Sequence, residues 1–492
     1  MLLSMLLVAI VFSGYTYASH AAVRSNPSVV YLKHAVGPVN TQVAAAAKSG
    51  DWTMYLHDSS RSSYNPSEKV IKPSSAASLK PRWIGRVGGA AGVTISTQPV
   101  VANGLVYWGS WDGYEHATNP SNPANDVWTT FLGQTAYNAD CSPPQLGVAS
   151  TATVQSIQIG STSTRVLFVG GGDGTFYALN ALTGQKIWSL PFGLTSQGYF
   201  LWSSPLLYKG YLYFGVASWG DCPLLQGEFV KVKASNGKIA RTWYPTSNDK
   251  PGCIGGGIWS SAAVDKVTNM LFLNTGTTGS CSQYGQTVIE LNAKDLSLVG
   301  SWQPPASEQV SDGDFGASPT LFTATINGTV HNMVGEENKN GIYYALDRAN
   351  ISAGPVWETR LASSPDNIAS SAWDGTYLYL AANDTTINGT NCEGSLGAAD
   401  PATGTFLWQD CLMGGKIDGT VTVVQGLAVV GVGSIIYAVA TRTTQAGVAG
   451  QILFSFQDTS FNWFYAGPSI SNGVMYAPNS DGNFYAFTPN GQ

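Results

Sequence analysis

A chain of 492 residues can hold one large repeat architecture with a continuous core, or several smaller domains. Only 11% of its residues are charged, well under the roughly 25% of ordinary soluble domains, while glycine (56), tyrosine (23) and tryptophan (15) are abundant. This composition suits short strands joined by tight turns. The formal net charge of −6, with no Lys/Arg cluster, argues against a nucleic-acid surface.

In chain order, MLLSMLLVAIVFSGYTYASHAA places an apolar run from Leu2 to Phe12 before small residues at Ala18 to Ala22. Residues 1–22 therefore read as a secretory signal peptide. An uncleaved anchor is the competing reading, because no basic residue precedes the run. Residues 23–50 read as a flexible lead and 51–492 as one repeat body. Once the signal is removed, no segment offers the roughly 18 unbroken apolar residues of a spanning helix. The expected location is secreted, periplasmic or at the cell surface. Six cysteines fit an exported, disulfide-bonded protein. Four N-x-S/T sequons begin at Asn327, Asn350, Asn383 and Asn388.

The body is organised by an aromatic that closes a short β pattern after a glycine turn. TGQKIW ends at Trp188, NGKIARTW at Trp243, AGPVW at Trp357 and TGTFLW at Trp408. Trp83, Trp128, Trp302 and Phe454 occupy the same place in looser versions. A spacing of about fifty residues is the period of four-stranded propeller blades. Inner strands near Gln98, Ser150, Ser203, Ser260, Ser318, Ser371, Thr420 and Gly467 give eight units. The final unit lacks its own closing tryptophan. The expectation is an all-β, eight-bladed propeller in which the strand carrying Trp83 completes the C-terminal blade. The tryptophans are read as wedges between blades, each N–H reaching a backbone carbonyl.

These units resemble the pyrroloquinoline quinone repeat of quinoprotein alcohol dehydrogenases. DWTMYLHDSSRSSYNP (51–66) is similar to the entry segment of that family. SDGDFGASPTLF, ENKNGIYYALDR and GPVW are similar to its polyvinyl-alcohol-dehydrogenase branch, and ASWGDCPLLQGEFVKV, GGGIWSSAAVD and DPATGTFLW to exported members without a cytochrome domain. No C-x-x-C-H occurs, so covalent haem is not expected.

The resemblance implies a quinone over the propeller axis and Ca²⁺ held by a Glu and an Asn, with an Asp as general base. This chain departs from the pattern at each point. Trp219, Gly220 and Asp221 stand where the Glu would, Thr277 where the Asn would, and no Pro-Asn/Asp-Asp-Trp segment precedes DFG. The substitutes are Asp221 and Thr277 at the metal, Asp312 and Asp314 as base, and Lys339 and Trp259 at the cofactor. The duller reading makes Asp312-Gly313-Asp314 a turn, and Lys339, Glu336 and Glu337 solvated loop charges.

Propeller geometry sends Cys222, Cys281 and Cys392 to loops between second and third strands, and Cys141, Cys253 and Cys411 to blade-linking loops. All six then lie on one face, the one that carries quinone in the resembling enzymes. Cys392 and Cys411 belong to one blade and are expected to pair. Among three arrangements of the other four, Cys141–Cys222 with Cys253–Cys281 is preferred. Two functions remain open. One is a quinone-dependent dehydrogenase acting on small-molecule or polymer hydroxyls of alcohols or sugars. The other is a non-catalytic propeller presenting its stapled face to a polymer, protein or cell-wall partner.

Overall fold

One blade shows why the sequence folds as it does. Thr153–Ile159, Thr162–Gly170, Thr175–Asn180 and Lys186–Pro191 form an antiparallel sheet in that order. The turn before the third strand uses Asp173, whose Oδ1 accepts the Thr175 N–H at 2.9 Å, and Gly174 at φ +75°. The middle strands are buried over Val166–Gly170 and Phe176–Leu179, whereas the outer strand is half-buried or exposed throughout. The computed structural model describes Val29–Tyr31 and residues 50–492, save 89–91, 194, 247–251, 282 and 364. The expected signal peptide lies outside the described residues, as does most of the 23–50 lead.

Eight such sheets form a ring. Blades 1 to 7 span residues 100–131, 153–191, 206–243, 263–302, 320–360, 372–412 and 422–457. Blade 8 takes three strands from 469–489, and its outermost strand is Leu79–Arg86, antiparallel to Asn483–Pro489 with Trp83 opposite Ala486. The closure read from the unpaired Trp83 is therefore correct. Val29–Tyr31 adds a short parallel strand outside Leu79–Arg86.

Blades are joined by the tryptophans and by hydroxyls. The indole N–H of Trp83 donates to Pro120 O, and those of Trp128, Trp188 and Trp357 to Ala181, Ala234 and Pro401 O, all at 2.9–3.1 Å. Trp408 reaches Thr441 O at 3.4 Å. Each of these carbonyls lies in the neighbouring blade. Around the axis, the N–H of Gln98 donates to Thr151 Oγ1, and those of Thr151, Ser204, Ser261 and Ser318 to the hydroxyls of Ser204, Ser261, Ser318 and Ser370. The Ser/Thr of the inner-strand motifs thus link blades 1 to 6 in succession.

The entry segment 51–66 crosses one end of the axial channel. Ser59, Ser60, Ser62 and Ser63 O accept the N–H groups of Val264, Leu321, Trp373 and Val423, one each from the innermost strands of blades 4 to 7. Trp52 pairs with Val101 of blade 1, Thr53 O takes the Val154 N–H of blade 2, and Asn65 Nδ2 donates to Ile470 O of blade 8. Arg61 is wholly buried. Its guanidinium donates to Ala262, Tyr55 and Ser204 O at 2.9, 2.6 and 3.3 Å. Segment 51–66 is thus an axial plug touching every blade, and it leaves the opposite face as the open one.

Candidate functional site

Loops between second and third strands, and loops linking successive blades, meet on that open face. On it, blades 3 to 5 enclose a pocket of about 470 Å³. Its wall contains Asp221, Trp259, Thr277, Asp312, Asp314 and Lys339, all six of the residues singled out in the sequence. Asp221 follows the second strand of blade 3 and Thr277 that of blade 4. Asp312 and Asp314 precede blade 5, and Lys339 follows its second strand.

Lys339 is the centre of the charge pattern. Its Nζ lies 2.7 Å from Asp314 Oδ1 and 3.1 and 3.0 Å from Asp312 Oδ1 and Oδ2. The loops are tied beneath it, since Lys339 N donates to Asp314 O at 3.1 Å and Asn338 Nδ2 to Gly313 O at 2.8 Å. Trp259 Nε1 donates to Asp314 Oδ2 at 2.9 Å, and the ammonium stands 5.2 Å from the centre of its ring. Burial raises Asp314 above the ordinary carboxylate range, with Lys339 only partly offsetting it. Burial also works against the charge on Lys339, but Asp314 and Asp312 outweigh it and its proton is held more tightly than usual.

The turn reading of Asp312-Gly313-Asp314 and the pairing with Lys339 are both true, because Asp312 adopts φ +58° within the turn. The solvated-charge reading is overturned for Lys339 and for its neighbours. Glu336 and Glu337 are buried at the end of a strand, and burial pushes both carboxyls well above their ordinary range. The last five residues of TVHNMVGEE, Met333 to Glu337, are all buried, so the strand carries both carboxyls into the core.

The floor of the pocket is built from glycine. A Cβ on Gly276 would stand 3.2 Å from Asp314 Oδ2 and 3.3 Å from the Trp259 ring, covering the indole. Thr277 Oγ1 is buried without a partner, and Asp221, at φ +54°, accepts the Ser218 hydroxyl. Two disulfides staple the loops concerned. Cys141–Cys222 holds the residue after Asp221, and Cys253–Cys281 brackets the loop of Thr277. The third, Cys392–Cys411, completes the preferred arrangement. Cys392 and Cys411 lie within the third and outermost strands of blade 6, not in loops, because that hairpin runs on to Ile387 and Thr390.

A second constellation escaped the sequence reading. His116 lies between Asp126 Oδ2 (2.8 Å from Nδ1) and Ser110 Oγ (3.0 Å from Nε2), the order of a hydrolytic triad. Ser110 and His116 are fully buried, and Trp108 stacks on the imidazole at 3.7 Å. No substrate reaches this serine, so the network serves as a polar clasp within blade 1.

No family model matches the chain. It is 22% identical over 350 residues to the quinohemoprotein alcohol dehydrogenase of Comamonas testosteroni, covering 62% of this chain and 46% of that protein. It is 23% identical over 258 residues to the polyvinylalcohol dehydrogenase of Sphingopyxis sp. (strain 113P3), covering 43% and 38%. The chain resembles the quinoprotein alcohol dehydrogenases. It spans less than half the length of the curated relatives it matches. The solved Comamonas testosteroni enzyme superposes with TM-score 0.67 at 17% identity, over 91% of this chain and 82% of that one. A europium-containing methanol dehydrogenase gives TM-score 0.71 at 14% identity, over 90% and 98%. At such identities the likeness establishes a shared β-propeller fold. Among the described residues, no helix is long and apolar enough to cross a membrane.

The group implied by this resemblance can be tested against the pocket. The half-buried Trp259 indole, with the Lys339 ammonium over its ring, borders the pocket and suits a flat, anionic heterocycle, and Thr277 Oγ1 offers an unused polar atom. The charge does not suit such a ligand alone. Asp312 and Asp314 engage the one ammonium and Asp221 lines the same pocket, a surplus of negative charge that a divalent cation would offset. Quinone and cation together fit the residues present.

Proposed function

We propose that the chain is an exported quinoprotein dehydrogenase that binds pyrroloquinoline quinone with a divalent cation in this pocket and oxidises the hydroxyl of an alcohol or sugar. The observation that carries the reading is the Trp259 indole with the Lys339 ammonium over its ring on the pocket wall, and every sequence-derived candidate around the same cavity. Trp259 would hold the flat ring and Lys339 an anionic edge. Asp221 and Thr277 would face the cation. When bound, the quinone supplies the two-electron acceptor for the substrate's hydride. Asp314 takes the hydroxyl proton as the hydride leaves carbon, which yields the carbonyl product. Burial suits Asp314 to this, because raised proton affinity strengthens a carboxylate base. Trp259 N–H fixes its second oxygen, and the stapled loops keep the pocket shaped.

The test is a titration of purified protein with pyrroloquinoline quinone and Ca²⁺, following tryptophan quenching and alcohol-dependent reduction of an artificial dye. Saturable one-to-one quenching with dye reduction is expected. Asp314→Asn should keep quinone affinity within about threefold while dye reduction falls about 100-fold or more. Dye reduction unchanged in Asp314→Asn would remove it as the base. The second reading, a binding propeller for a polymer, protein or cell-wall partner, draws on the three disulfides gathered toward the same face. Absence of quenching under all conditions would favour it.

A further inference from the structure

A separate pocket of about 490 Å³ opens at the plug end of the ring. This volume falls within the roughly 300–1,000 Å³ of small-molecule sites. Its wall joins Asp58, Ser60, Ser62 and Tyr64 of the entry segment to residues of blades 4 to 6, and none of its residues belongs to the open-face pocket. The plug itself gives the pocket its shape. Ser59, Ser60 and Ser62 O hold the N–H groups of Val264, Leu321 and Trp373 at 2.8–2.9 Å.

The wall contains a tryptophan that the repeat does not need. At the strand position that meets the plug, blades 1, 2, 4, 5 and 7 carry Val101, Val154, Val264, Leu321 and Val423, all buried. Blade 6 carries Trp373, which is not one of the wedges between blades. Its ring lies 5.8 Å from that of Phe322 and stays half-buried on the pocket wall. Valine or leucine satisfies packing at this position, so the rest of the indole is free to meet a ligand.

The charges of the wall already have partners. Asp265 accepts from Arg348 Nη1 at 2.7 Å and from the Val267 N–H at 2.8 Å. Asp374 accepts from the N–H groups of Thr376 and Tyr377, the Tyr379 hydroxyl and Arg442, all at 2.8–2.9 Å. Asp58 Oδ1 accepts the Ser60 and Ser62 N–H groups at 2.8 and 3.2 Å, and Oδ2 the Ser62 hydroxyl. No carboxylate there waits for a cation, and Arg348 is not free for an anion. Yet the Asp58 side chain is 39% exposed, against 9% for Asp265 and 5% for Asp374. A carboxylate oxygen can accept more than one hydrogen, so Asp58 is the acceptor a ligand would reach. Ser60 and Thr323 add hydroxyls to the same wall.

An apolar ring face beside neutralised acceptors and hydroxyls matches a neutral molecule with a C–H face and a rim of hydroxyls. We propose that this pocket is a saccharide site, with the C–H face of a sugar ring on Trp373 and its hydroxyls donating to Asp58 and bonding to Ser60 and Thr323. The site does not depend on the quinoprotein reading. A sugar held here leaves the open face unobstructed.

The test profiles full-length protein on an array of neutral and anionic oligosaccharides, then titrates the hits by calorimetry as soluble oligosaccharides and as the matching methyl monosaccharides. Saturable one-to-one binding of a neutral saccharide is expected. Trp373→Leu supplies the side chain that blade 5 carries at this position, and should weaken binding by about tenfold or more. Thr323 is exposed, so Thr323→Arg fills the pocket without entering the core and should weaken binding as well. Unchanged melting temperatures check that the variants fold. Trp259→Leu, at the open face, and Lys266→Ala, the exposed cation of this wall, should leave the affinity unchanged. Equal affinity for monomer and oligomer would identify a free sugar as the ligand, and affinity rising with length a polysaccharide; both accord with the site. Absence of binding to every neutral saccharide would overturn the proposal. So would binding lost in Trp259→Leu but kept in Trp373→Leu, which would place the sugar at the open face. Hits confined to anionic saccharides and lost in Lys266→Ala would overturn it too, since the ligand would then be an anion.

Discussion

At the scale of single residues, this protein buries carboxyls that a sequence reader would put in water. Glu290, in the third strand of blade 4, is raised from 4.5 to about 7, first by burial and then by Asp265, with Arg348 opposing. A carboxyl whose folded value is raised binds its proton more tightly in the native state. Its stabilising effect is therefore complete below about pH 4.5 and is lost as pH rises through about 7. Glu290→Gln should accordingly melt close to the parent at pH 5 and above it at pH 8, as read by thermal denaturation at the two pH values. An equal offset at both would show that Glu290 does not titrate in this window.

The same burial explains what was legible and what was not. The pocket residues could be found because substitutions at known motif positions, Asp221 and Thr277, are visible as letters. The burial of Glu336 and Glu337 could not, since a charged pair after a hydrophobic strand looks like the start of a loop. The clasp around His116 was hidden for another reason. Its partners sit apart, Ser110 just past the second strand and Asp126 at the start of the outermost one, and only register brings them to one ring.

At the scale of the element, the repeat motif was read correctly because each of its letters has a mechanical task. The Thr-Gly of a blade's last turn lies on the tryptophan of the blade before. A Cβ on Gly184 would stand 2.7 Å from the Trp128 ring and from Thr130 Oγ1, at φ +70°. Gly210, at φ +79°, has nothing within 4 Å. Gly184→Ala should therefore cost about 2–4 kcal/mol, strain and overpacking together, and Gly210→Ala about 1–2 kcal/mol from backbone strain alone. Unfolding of the two variants in denaturant measures the difference. Equal losses would mean that the turn does not bear on the indole.

At the scale of the whole molecule, the ring depends on the entry segment at its axis. Arg61 bonds three buried carbonyls that have no solvent to turn to. Arg61→Met keeps much of the side-chain volume and removes every donor, so a loss of about 3 kcal/mol or more is expected from denaturant unfolding. A variant as stable as the parent would show that the backbone ladder of 59–65 holds the plug unaided. The sequence identified 51–66 by resemblance, but its place across the channel depends on four residues, Leu56, His57, Arg61 and Ser63, in left-handed conformations that nothing in their identities announces.

The pairing of Leu79 with Pro489 also sets when the protein can be finished. Translation at about 5–20 residues per second leaves Leu79–Arg86 without its partner strand for on the order of 20 s to more than a minute. Contacts so distant along the chain make folding slow, and an unmatched strand edge invites self-association meanwhile. Emergence of Asn483–Pro489, rather than of any earlier strand, is thus the moment at which the circle can shut, and a nascent chain stopped short of Asn483 has no route to the closed form.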